Sequence, residues 1–218
     1  MNKLVVTVFT AGAISAGSAF AASNAPAIPG APRPAALAQK KTMDEGHEAR
    51  RVVAQAADKS LDSATALLDM VTKADRDRVT NGLTKTEQSK FKEVGDRFQA
   101  EWKKKYGENF HAESHPDELG GLKPKMEGEG KDQVAIISLP GSEGEGKYQL
   151  RLKREPNGWW RINLPDNLTN ANFEKELMDS IDRATGQVSK LPDDKAQAYQ
   201  AAVTMLLHEM AFPATESK

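Results

Sequence analysis

The 218-residue chain carries 30 basic and 31 acidic side chains, a formal net charge of −1, and no cysteine. Disulfides, thiolate catalysis and cysteine-ligated metals are excluded, and the near balance of charge gives no electrostatic ground for nucleic acid or an anionic membrane as partner. Stability has to come from burial alone.

At the N-terminus, Lys3, an apolar run from Leu4 to Ile14 and the small residues around Ala19-Phe20-Ala21 have the layout of a secretory signal peptide cut after Ala21. A periplasmic or secreted location is expected. Gly12, Ser15, Gly17 and Ser18 interrupt the run well short of the ~20 apolar residues that span a bilayer, and no later stretch qualifies, so the mature chain is expected to be soluble with no membrane span. Residues 22–41, rich in Ala and Pro, read as a disordered tether. Residues 42–212 read as a single domain, and 213–218 as a disordered tail.

Thr42-Met43-Asp44-Glu45 has the form of a capping box and opens a helical stretch with Ala49, Val52, Ala56, Ala64, Leu67, Leu68 and Val71 near one face. Its small residues suit close packing against another helix, and Asp58 to Asp62 is a patch where it can bend or break. Thr84-Lys85-Thr86-Glu87 repeats the signature before the most aromatic stripe in the chain, Phe91, Val94, Phe98, Trp102 and Tyr106. That stripe is expected to be core and to pack on the apolar face of a sheet.

A short edge strand is expected near Lys125 to Glu129 and a stronger one over Gln133 to Leu139, with Pro140-Gly141 ending it. In Lys147 to Pro165, Tyr148, Leu150 and Leu152 alternate with polar residues, as do Trp160, Ile162 and Leu164, the period-two pattern of half-buried strands. A three-residue loop, Pro156-Asn157-Gly158, sets Leu152 opposite Ile162 and Leu150 opposite Leu164; loops of two or four residues mix apolar with polar on both faces. The expected fold is α+β: an antiparallel meander of about three to four strands packed on N-terminal helices. Two additional C-terminal helices carry Phe173, Leu177, Ile181, Ala184 and Val188, then Ala196, Tyr199, Val203, Leu206, Leu207 and Met210.

Chemistry-bearing patterns are sparse. His111 and His115, among Glu113, Asp117 and Glu118, form the densest set of potential metal ligands, but Pro116 disfavours the helix that would put both imidazoles on one face. A polar surface loop is the expected reading. No serine lies in a nucleophile elbow, and the glycines of 141–146 lack the context of a phosphate loop. Neither catalytic residues nor a cofactor can be assigned. Trp159, Arg151, Lys153 and Arg161 project from the sheet face opposite Trp160: burial of Trp159, or a packing role beside the turn, is the favoured expectation, and if the face is open it is a basic, aromatic surface able to bind an anionic or sugar-like ligand.

Helix before sheet, with the closing hairpin KYQLRLKREPNGWWRINLP and its Gly158, Trp160 and Ile162, makes residues 84–165 resemble the later half of an NTF2-like (cystatin-like α+β cone) domain. The resemblance implies a curved sheet wrapped on a helix around an apolar pocket, here lined by Phe91, Phe98, Trp102, Tyr148, Leu150 and Trp160. The expected function is that of a non-enzymatic binding or accessory module for a small apolar ligand or a protein partner. The alternatives are a small pocket enzyme, isomerase- or dehydratase-like, and a helical adaptor with an exposed Leu206 to Met210 face.

Overall fold

The computed structural model describes residues 34–79, 85–140 and 148–214. The leader, the first part of the tether, Thr84 and residues 215–218 lie outside the described residues. The fold is α+β, an antiparallel meander with helices from both ends of the chain.

Helix α1 (Pro34–Asp62) starts upstream of the capping signature, with Pro at its first position, where no backbone donor is lost. Thr42 therefore stands inside the helix. Glu45 is not a capping residue but a buried carboxylate that accepts from Gln133 Nε2 at 2.7 Å and from Arg154 Nη1 at 3.2 Å, tying α1 to the sheet. The break expected near Asp62 occurs where Ser63 caps α2 (Ala64–Leu68), accepting from Ala66 N at 3.0 Å. After α3 (Lys73–Val79) comes α4 (Lys85–Tyr106).

Strands β1 (Pro124–Glu127), β2 (Val134–Leu139), β3 (Tyr148–Arg154) and β4 (Trp160–Asn163) form the meander. The β3–β4 register is Leu152↔Ile162 and Arg154↔Trp160, as the three-residue loop requires. Gly158 donates to Glu155 O at 2.8 Å and takes φ +87°, the left-handed residue that ends the type I turn. The pairing stops at Arg151↔Asn163, one step short of the Leu150–Leu164 match expected from alternation. The reason is a contact distant in sequence: the Leu164 N–H donates to the buried Asp75 carboxylate at 2.9 Å, and Pro165 follows. The edge of β3 left free there is filled from the C-terminus by β5 (Phe212–Pro213), which pairs Phe212 with Gln149 and Pro213 with Tyr148. Pro213, expected in the tail, thus belongs to the sheet. On the far side of β4, Met70 and Thr72 bond to Ile162 in a single parallel bridge.

The helix that covers the sheet is α1, in contact with both β1 and β4. The aromatic stripe of α4 is core, but its principal neighbours are α1 and α5 (Phe173–Gln187) rather than the sheet. Apolar periodicity fixes how wide a helix face is buried, not what buries it. The alanines of α1, with Ala49, Ala56 and Ala57 fully buried, let it sit at the centre with the sheet on one side and α4 on another. Trp102 meets Phe110 edge-on at 4.9 Å and Tyr199 of α6 (Lys195–Leu206) at 5.0 Å between ring centroids. Asp194 caps α6, accepting from Gln197 N at 2.9 Å, and Leu206, Leu207 and Met210 are all buried. An adaptor would need that face free.

Candidate functional site

Alternation along four strands sorts the sheet into two faces. Toward α1, the rows are Met126–Ala135–Leu152–Ile162 and Pro124–Ile137–Leu150. On the opposite face they are Glu127–Val134–Lys153–Arg161, Lys125–Ile136–Arg151–Asn163 and Ser138–Gln149–Phe212. This second face is open. It forms a groove of about 660 Å³ whose lining includes Val134, Ile136, Gln149 and Arg151, the cations Lys123, Lys125 and Lys153, and the carboxylates Glu127 and Asp132.

Arg151 stands at the centre of the groove. Its guanidinium lies over the Phe212 ring, 4.6 Å from the centroid, which holds the planar group in place. Its Nε is buried and makes no hydrogen bond. Lys153 and Arg161 are directly opposite each other across β3 and β4, a like-charge pair that costs stability in an unliganded sheet. Lys125 pairs with Glu127 at 2.8 Å, and this bond holds the Lys125 ammonium above the usual lysine range.

Trp159 is not core: 64 % of its surface is exposed. Only Trp160, one residue on, falls on the apolar face, where it is buried. Trp159 is fixed at the turn by donation of its N–H to Asn157 Oδ1 at 3.0 Å and by its carbonyl, which accepts from Glu155 N at 2.9 Å. The Arg161 guanidinium stands 5.9 Å from its ring centroid.

The residues expected to line an interior pocket lie as follows. Phe91, Phe98, Trp102, Leu150 and Trp160 are buried in one contiguous core, and Tyr148 is half-buried, edge-on to His208 at 4.2 Å between centroids.

The histidine loop is a polar latch on α1 and α6. Asp58 accepts from Ala112 N at 2.7 Å and Glu113 N at 3.0 Å, and meets His111 Nδ1 at 2.7 Å. Burial raises the Asp58 carboxyl above its ordinary value, against the opposing pull of these donors. His115 stacks on Tyr199 at 4.5 Å and faces Glu118 at 3.2 Å; this bond lowers the Glu118 carboxyl. The two imidazoles are thus held by separate carboxylates. Among the described residues, no group of three or more His, Asp or Glu side chains is arranged to hold a metal ion.

Two clusters escaped the sequence reading. Asp75 accepts from Thr72 Oγ1 at 2.8 Å and pairs with Arg78 Nη2 at 2.6 Å, while Arg78 also donates to the carbonyls of Pro165 and Leu168. The only available signal was Thr72-x-x-Asp75, a short form of the capping box. The Glu45–Gln133–Arg154 set had no local signal, because its members lie on three separate elements.

No helix of the described residues is long and apolar enough to cross a membrane. No family model matches the chain, nor does any curated protein or solved structure.

Proposed function

We propose that this chain is a non-enzymatic binding module that takes an anionic ligand on the open face of its sheet. The observation that carries the reading is Arg151, set in the middle of the groove with a buried, unbonded Nε and a guanidinium backed by Phe212. No acceptor among the described residues meets Nε, and an anion in the groove would pair with the terminal nitrogens of the guanidinium. Lys153 and Arg161 act in the same sense, since a negative group between them turns a repulsion into two attractions. The NTF2-like resemblance would set the ligand between sheet and helix; the closed packing of Phe98, Trp102 and Trp160 is why we place it on the other side. The leader pattern of residues 1–21 supports a site of action outside the cytoplasm.

The test is calorimetric titration of the protein with dextran sulfate at low and high salt. Binding that weakens with salt, and falls about tenfold or more in Arg151→Gln, is expected, given the 1.5–3 kcal/mol typical of a hydrogen bond to a charged group. Equal binding by Arg151→Gln and the parent would remove the site.

A further inference from the structure

The groove has a composition that narrows the ligand beyond its charge, and this step rests on the binding reading above. Cations are mixed with carboxylates: Lys123, Lys125, Arg151 and Lys153 share the site with Glu127 and Asp132. A polyphosphate or DNA backbone offers those two carboxylates no hydroxyl donor. A sugar chain presents hydroxyl donors to them instead. Ser138, Gln149 and Asn163, also in the groove, can both donate to and accept from hydroxyls.

Outside the groove's lining, next to Arg161, which pairs with the groove's Lys153, stands a ring platform. Trp159 is the one exposed large aromatic among the described residues; two hydrogen bonds fix its backbone, and the Arg161 guanidinium stands beside its ring. The apolar face of a pyranose packs on such an indole, whereas a chain without rings gains nothing from it. From Trp159 to Asn163 the strand advances roughly 13 Å, enough for about two to three sugar rings.

We propose that the ligand is a carboxylated oligosaccharide, a chain of uronic acid units, with one carboxylate paired to the planar fork of Arg151 and a neighbouring ring stacked on Trp159. One carboxylate per ring leaves the other hydroxyls free to meet Glu127 and Asp132. A heavily sulfated chain, with more than one charge per ring, has fewer hydroxyls left for them.

The experiment uses the whole chain and four probes: an oligogalacturonate, dextran sulfate, inorganic tripolyphosphate and an oligodeoxythymidylate. Each is titrated against the parent protein, Trp159→Ala, Arg151→Gln and Arg151→Lys. The parent is expected to prefer oligogalacturonate. Trp159→Ala should weaken that probe about tenfold and leave tripolyphosphate unchanged, and because the side chain is exposed this variant should fold normally. Arg151→Gln should weaken both, while Arg151→Lys, which keeps the charge and the fold but not the fork, should recover tripolyphosphate more than oligogalacturonate. If Arg151 matters and Trp159 does not, the sugar assignment fails and the anion site stands. If Arg151→Gln binds every probe as the parent does, both fail together. Tighter binding of oligodeoxythymidylate or dextran sulfate than of oligogalacturonate overturns the assignment in favour of nucleic acid or of a sulfated chain.

Discussion

Gly95 of α4 crosses Leu61 of α1 with no room for a side chain: a β-carbon at position 95 would overlap the Leu61 carbonyl oxygen and lie 3.0 Å from its carbonyl carbon. The obstacle is backbone, which cannot rotate aside. Gly95→Ala is therefore expected to destabilise the fold by about 1–3 kcal/mol despite the better helix propensity of alanine. Gly46→Ala, whose β-carbon would make only an ordinary 3.9 Å contact with Pro124, should be neutral or stabilising by up to about 1 kcal/mol. Urea unfolding of the two variants checks the pair, and equal effects would rule out the crossing as the cause.

Asp75→Ala should be among the most damaging substitutions in the chain. The carboxylate is buried and serves Thr72, Arg78 and the Leu164 backbone at once, so its loss leaves a guanidinium and a buried N–H without an acceptor. A cost of about 3–5 kcal/mol is expected. Asp75→Asn keeps an acceptor but loses the ion pair, and should fall between the variant and the parent in thermal unfolding.

The latch predicts that stability falls with rising pH in two separate windows, one acid and one alkaline. Asp58 has a folded value raised above 3.8 by burial, so as pH falls the native state takes up its proton before the unfolded chain does. Its contribution to stability therefore improves on acidification and levels off below 3.8. Tyr199 has its hydroxyl pushed up from 10.0 to about 12, chiefly by burial. Its contribution is complete below 10.0 and is lost as pH rises toward 12. Unfolding midpoints measured against pH should lose the acid-side gain in Asp58→Asn, and the alkaline loss should shrink in Tyr199→Phe. Unchanged profiles in both would show that neither group governs its limb.

The open face carries a trade between stability and binding. Lys153→Glu replaces the like-charge pair with Arg161 by an attractive one, and should raise stability by about 0.2–1 kcal/mol. The same change should abolish anion binding. A variant that loses stability, or one that still binds dextran sulfate as the parent does, would contradict the role given to this row.

The hairpin was legible because a one-residue slip reverses a whole strand face, so Leu152 and Ile162 could be matched from side chains alone. The same alternation could not show where pairing stops, since that depends on Asp75, nearly ninety residues away from Leu164. The aromatic stripe of α4 announced burial but not its neighbours, and the alanines of α1, which look too small for a core, are what allow that helix to occupy the centre. Trp159 was expected to be buried or packed beside the turn on the strength of its residue type; it stands at the turn but exposed, as strict alternation with the buried Trp160 already indicated. The basic row of the groove was visible as alternate positions of β3 and β4; its backing by Phe212 was not, because β5 joins from the far end of the chain.

That last arrangement makes affinity a remote gauge of how the C-terminal helices are seated. Phe212 reaches Arg151 only when α5 and α6 deliver β5 to the vacant edge of β3. A substitution in the α5–α6 contact, such as Ser180→Val, which removes the hydroxyl donated to Met205 O at 2.6 Å, touches no part of the groove. It should nonetheless loosen the guanidinium from its aromatic backing, so that ligand capture and the docking of two distant helices rise and fall as one linked equilibrium.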